Sequence, residues 1–188
     1  MAGSTSKGFP YPSLGDSPNV PADIQALATA LNTLVPTLDS AETLNNKTLN
    51  KPNEDYPRLW SPREYCTATA VAATGTINFS YYSQAVLYYT TNASGNFVLN
   101  FRGSSGQTLN SALASGESAG FVFINTNGAT PYYLTSITID GSAQTVKWAG
   151  GVAPSAGNAN SLDAYTFTII KTSSTPSYTV LGSFTKFA

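Results

Sequence analysis

From residue 56 onward the chain is cut into short stretches rich in β-branched and aromatic residues, with turn residues between them. No other feature restricts the fold as much, because a period of two leaves the strand as the local structure. Eight such stretches occur, at 76–82, 85–89, 96–102, 119–125, 132–139, 144–148, 164–171 and 178–186. The separators include Asn92-Ala93-Ser94-Gly95, Gly103-Ser104-Ser105-Gly106, Thr126-Asn127-Gly128 and Asp140-Gly141, the last a hairpin signal. In Tyr165-Thr166-Phe167-Thr168-Ile169 apolar and polar side chains alternate, so one face is wet and the other is core. Successive strands without intervening helices predict a mainly β fold, a C-terminal antiparallel β-sandwich of jelly-roll type over 58–188. Its apolar face is expected to include Val98, Phe121, Phe123, Ile137, Phe167 and Ile169.

The first 57 residues follow other rules. Residues 1–20 hold Gly3, Gly8, Pro10, Pro12, Gly15 and Pro18 around isolated apolar side chains. Prolines fix φ and remove donors, so this stretch reads as an extended arm without regular structure. Its Phe9, Tyr11 and Leu14 have no local core to enter and are expected to dock on another protein. Pro21 and Asp23 then open a helix of about 15 residues that Pro36 closes. Ile24, Leu27, Leu31 and Leu34 are spaced three, four and three apart, the a/d seam of a short coiled coil. A five-residue near-repeat follows, Thr43-Leu44-Asn45-Asn46-Lys47 and Thr48-Leu49-Asn50-Lys51-Pro52, with Leu44 and Leu49 as its apolar anchors. One apolar residue in five closes a core only where copies meet on an axis, so 21–57 reads as a trimerising helix and stalk with Ile24, Leu27, Leu31, Leu34, Leu44 and Leu49 on the axis. The competing readings are a helix packed on its own domain and a polar linker.

Charge narrows the functional classes. Residues 65–188 carry only Arg102, Lys147, Lys171 and Lys186 against Glu117, Asp140 and Asp163. Soluble domains average about 25% charged residues, so this surface is wetted by hydroxyls and amides, a composition that favours assembly. A formal net charge of −1 without a Lys/Arg cluster argues against nucleic-acid partners. No stretch has the length of a membrane span or the pattern of an export signal, so neither membrane insertion nor export is expected. Cys66 is the single cysteine, which excludes an intrachain disulfide and suggests a small residue in a core or interface.

The sequence has no histidine, which removes His-containing triads, histidine bases and His-ligated metals. Neither a catalytic residue, a metal site nor a cofactor is expected. Asp163 is read as a carboxylate that bonds loop amides. Trp148 opens the glycine-rich loop Ala149-Gly150-Gly151-Val152-Ala153-Pro154, and two readings stand side by side. One is a sugar-stacking platform in which Trp148, Asn158 and Asn160 are candidate glycan contacts, and the other buries Trp148 under its own loop.

Several ordered motifs add a resemblance. Val86-Leu87-Tyr88-Tyr89-Thr90, Asn96-Phe97-Val98-Leu99-Asn100-Phe101-Arg102, Thr126-Asn127-Gly128-Ala129-Thr130-Pro131-Tyr132-Tyr133, Lys147-Trp148-Ala149-Gly150-Gly151 and Asp163-Ala164-Tyr165-Thr166-Phe167 are similar to stretches of tail fibres and related virion structural proteins of tailed phages, particularly marine and cyanobacterial phages. Phe9-Pro10-Tyr11-Pro12 and Val20-Pro21-Ala22-Asp23-Ile24 resemble the attachment ends of such fibres, and Leu44-Asn45-Asn46-Lys47-Thr48-Leu49 resembles their shaft repeats. The resemblance implies a non-enzymatic homotrimeric component of the virion, made in the host cytoplasm and held by its N-terminus on a tail, baseplate or capsid protein. Host-surface glycan binding is an added role. The alternatives are a capsid decoration or head fibre, and a stand-alone carbohydrate-binding module.

Overall fold

The computed structural model describes residues 3–4, 10–11, 20–34 and 63–187. The chain divides into two compact units, Met1–Arg58 and Leu59–Ala188.

In the first unit, β1 (Gly3–Ser4) pairs antiparallel with β2 (Pro10–Tyr11), and α1 spans Val20–Leu34. The arm therefore has a minimal strand pair where none was expected. Proline lacks an N–H but keeps its carbonyl, so it is tolerated in a ladder this short. The helix is built from Ala-rich sequence with Asp23 in its first turn, where a carboxylate complements the dipole. Tyr11 is exposed, Leu34 is the last helical residue, and Phe9, Leu14, Leu44 and Leu49 lie outside the described residues.

The second unit is mainly β. Its strands are β3 (Cys66–Ala72), β4 (Gly75–Ser80), β5 (Val86–Asn92), β6 (Phe97–Arg102), β7 (Ser118–Thr126), β8 (Leu134–Ile139), β9 (Ser142–Gln144), β10 (Val146–Trp148), β11 (Leu162–Ser173) and β12 (Ser177–Phe187). A one-turn helix, α2 (Leu109–Ala112), lies between β6 and β7. The strands form a six-stranded sheet in the order β10-β12-β11-β7-β5-β3 and a four-stranded sheet in the order β4-β6-β8-β9.

The expected antiparallel, jelly-roll-like arrangement is corrected by the pairing. β3, β5 and β7 are parallel neighbours in one sheet, β4, β6 and β8 in the other, and β10 is parallel to β12. From β3 to β8 every connection crosses from one sheet to the other, so each strand pairs with the strand two places away in sequence. The turn signal at 92–95 thus marks an arch rather than a hairpin. Its amides bond other connections: Ala93 N–H donates to the Thr126 carbonyl at 2.8 Å and Ser94 N–H to the Ala73 carbonyl at 3.0 Å. Gly, Asn and Ser serve both kinds of turn, and only the partner of the freed N–H distinguishes them. Asp140-Gly141 does form a hairpin, between β8 and β9, with φ of 51° and 82° as a type I′ turn requires.

The two sheets face each other over one core. Phe79, Phe97 and Phe101 from the four-stranded sheet meet Phe121, Phe123, Tyr165 and Phe167 from the six-stranded sheet, with ring centroids 4.8–5.8 Å apart. Phe121, Phe123, Ile137, Phe167 and Ile169 are buried as expected. Val98 is not: Phe97, Leu99 and Phe101 take the inward positions of β6, and period two turns Val98 outward. Around it the outer face of the four-stranded sheet is polar. Asn100 donates to Asn78 at 2.8 Å and accepts from the Thr138 hydroxyl at 2.7 Å, and the Arg102 guanidinium donates to the Ser80 hydroxyl.

Candidate functional site

Glu117, Asp140 and Asp163 each accept from backbone N–H groups. Asp140 accepts from the N–H groups of Leu109 and Asn110 at 2.7 and 3.1 Å, which fills the open donors of α2. The other end of the same turn is closed by buried Lys171, whose ammonium donates to the carbonyls of Asn110 and Leu113 at 2.7 and 2.8 Å. A four-residue helix has almost no stability of its own, so this clamp by opposite charges positions it. Glu117 accepts from Ala114 N–H at 2.7 Å.

Asp163 is completely buried at the start of β11 and organises the loop that precedes it. One carboxylate oxygen accepts from the Asn127 amide at 2.8 Å and from Asn158 N–H at 3.0 Å. Asn127 in turn accepts from Tyr132 N–H and from the Asn125 amide, both at 3.0 Å. The backbone N–H of Tyr132 can only donate, so it fixes which way the Asn127 amide is turned and thereby that of Asn125. The Oδ1 atoms of Asn125 and Asp163 are left buried without a hydrogen bond, on residues directly opposite in the β7–β11 register. Burial raises the Asp163 carboxyl above the usual range, against the lowering effects of Asn158 N–H, the Lys186 charge and the Asn127 amide. The loop-bonding role read from the sequence for Asp163 is the one it has.

The candidate glycan residues are not brought together. Trp148 ends β10 and is half-buried, with its ring 5.8 Å from that of Phe167. It lies across Gly182, where a Cβ would stand 2.6 Å from Val146 Cγ1 and 3.1 Å from the Trp148 ring. Glycine on β12 thus admits one side of the indole to the edge of the core, the packing role that is one of the two readings of Trp148. Asn158 sits five strand positions away, its amide donating to the Phe187 carbonyl at 3.3 Å while Trp148 pairs with Gly182. Five positions are about 17 Å, too far for Trp148 and Asn158 to share one sugar ring. Asn160 is held in the left-handed region, φ 52°, by its N–H bond to the Gly128 carbonyl.

Asn160 does border a depression of about 350 Å³, with Asn92, Thr126, Asn127, Gly128 and Ser161 around it. The buried Asn125–Asn127–Asp163 chain lies beneath and ties both bordering loops to the strand ends. A recess edged by neutral amides and hydroxyls suits the hydroxyls of an uncharged sugar and gives a charged ligand no counter-ion. Sequence reasoning found Asn160 but missed Asn92, Asn127 and Thr126. A second depression, of about 470 Å³, runs over β10, β11 and β12 and is lined by Trp148 together with Lys147, Thr166, Thr168, Leu181 and Ser183. Cys66 is exposed on β3 rather than in the core. Among the described residues there is no group of three or more metal-ligating side chains, and no helix is long and apolar enough to cross a membrane.

Comparison of the chain with protein-family models, curated proteins and solved structures found no match.

Proposed function

We propose that the protein is a non-enzymatic, homotrimeric, fibre-class structural component of a tailed-phage virion. Its N-terminal arm attaches it to another virion protein, and its two-sheet, sandwich-like unit is the displayed part, with the Asn160 recess as the contact for neutral host-surface glycans. The observation that carries this reading is on α1: Ile24, Leu27 and Leu31 are 62%, 41% and 46% exposed along one heptad stripe. Two heptads gain little stability alone, and an exposed a/d stripe is covered when parallel copies meet. The commitment of Glu117, Asp140 and Asp163 to backbone amides supports the non-enzymatic part.

Replacing Leu27 and Leu31 together by Asp places six carboxylates around the proposed axis, a burial that unpaired charges resist. The trimer is expected to dissociate in analytical ultracentrifugation, and a double variant that keeps trimer mass would refute the axial assignment. Removing residues 1–20 is expected to leave the second unit folded and to abolish incorporation into particles, read by mass spectrometry of purified virions. Normal incorporation would place the attachment elsewhere. A wild-type chain that is monomeric and binds glycan would favour the stand-alone carbohydrate-binding module.

A further inference from the structure

The outer faces of the two sheets differ in kind. On the four-stranded sheet the outward residues form the polar ladder of Asn78, Asn100, Thr138 and Arg102, as expected of a face in water. On the six-stranded sheet the register aligns Val86, Val122 and Thr166 in one outward row and Tyr88, Ile124 and Ala164 in the next. Leu181 and Phe187 extend the face on β12 and are 44% and 53% exposed. Not one charged residue points outward from β3, β5, β7, β11 or β12, and Lys147 on the edge strand β10 marks the border.

We infer that this outer face of the six-stranded sheet is a second self-association surface, on which one copy of the chain packs against the same face of another in a pairwise contact separate from the three-fold contact proposed for α1. Monomeric antiparallel and mixed sheets with one solvated face alternate apolar and polar residues, as β6 does, whereas β7 presents Val122 and Ile124 outward opposite inward Phe121 and Phe123. Depletion of charge marks the centre of protein interfaces. The occupant is a second copy because neutral faces complement each other: apolar rows meet apolar rows, and the hydroxyls of Thr166, Thr168, Ser183 and Thr185 can donate and accept among themselves. Five charge-free strands about 4.8 Å apart and six to eight steps of about 3.4 Å give a footprint of roughly 400–500 Å², the size of a weak interface rather than the roughly 800 Å² per partner of a standard one. A sheet face packs on another at about 10 Å, and small outward residues such as Gly120 and Ala164 let it do so. The inference needs only self-association, so it stands whether or not the particle belongs to a phage.

The test uses the full chain, in the wild-type and Leu27→Asp/Leu31→Asp backgrounds. Thr166→Glu with Leu181→Glu puts two outward charges on the face, and Thr76→Glu with Ser136→Glu puts the same charge on the polar sheet. All four side chains are exposed, so the fold is expected to keep its cooperative thermal unfolding. In the helix-variant background, concentration-dependent association should persist in sedimentation, weaken about tenfold or more with the first pair, and survive the second. Cys66, on the outer side of β3 beside Val86, supplies an independent readout. Its reaction with a water-soluble maleimide should be slow in the wild type and faster by about tenfold or more in the Thr166→Glu/Leu181→Glu protein. A helix variant that is monomeric at all concentrations, equal effects of the two pairs, or unchanged Cys66 reactivity would each overturn the inference.

Discussion

Phe121→Ala is expected to cost about 3–5 kcal/mol of folding stability in denaturant titration, with an unchanged dependence on denaturant concentration. The ring is 1% exposed and lies between the sheets, 4.8 Å from Phe101, 5.2 Å from Phe79 and 6.0 Å from Tyr81. Phe79 and Phe101 stand on β4 and β6 of the facing sheet and Tyr81 on the turn after β4, and both sheets are held by their own ladders, so the space cannot collapse without moving a sheet. Val98→Ala removes a smaller, half-exposed group from the polar side of β6 and should cost less than about 1 kcal/mol. The pair checks the inward register directly. A loss under about 1 kcal/mol at Phe121, or a larger one at Val98, would show that the aromatic centre of the core has been misplaced.

All eight strands read from the sequence have a counterpart in the second unit, because their side chains are large and alternate. β3 and β9 escaped the same reading. Cys66-Thr67-Ala68-Thr69-Ala70-Val71-Ala72 has the period of a strand but side chains too small to stand out, and Ser142–Gln144 has only three residues. The helix α1 was legible because three- and four-residue apolar spacing has few other uses. Sheet order was not legible. Strand identity depends on a few neighbouring residues, whereas pairing depends on where the chain goes after each turn, and the residues of an arch are those of a hairpin. The buried polar chain leaves a trace in the same two-residue period. Asn125 continues the inward series Phe121, Phe123, and Asp163 precedes Tyr165 and Phe167 in another, so both were already placed inward by period two. The partner against which Trp148 packs was not legible, because its neighbour across the ladder, Gly182, lies 34 positions later in sequence and offers no pattern of its own.

Two substitutions within hydrogen-bond reach of each other should have opposite effects, and together they separate steric from electrostatic demand in the Asp163 cluster. Gly157 is buried, and a Cβ there would stand 2.5 Å from the Tyr132 carbonyl oxygen and 2.8 Å from Asn127 Nδ2. The first of these is backbone and cannot rotate away, so Gly157→Ala must push apart the loops that Asn127 joins, at a cost of about 3 kcal/mol. Asp163→Asn keeps the shape. Its oxygen can still accept from Asn127 and Asn158, while its new amide can donate toward the unpaired Asn125 oxygen on the facing strand. Because burial raises the carboxyl in the folded protein, Asp163 is favoured when protonated and becomes costly as pH climbs through its native value. The stability it contributes is therefore full below the unfolded carboxyl range, about pH 4, and is lost above it. Lys186, opposite Asp163 in the β11–β12 register, limits that loss without removing it. Below about pH 4 the Asp163→Asn protein and the wild type should unfold at similar denaturant concentrations, and the variant should gain on the wild type as pH rises toward 7. If the variant instead falls behind with rising pH, the ionised carboxylate paired with Lys186 is what the fold requires at Asp163.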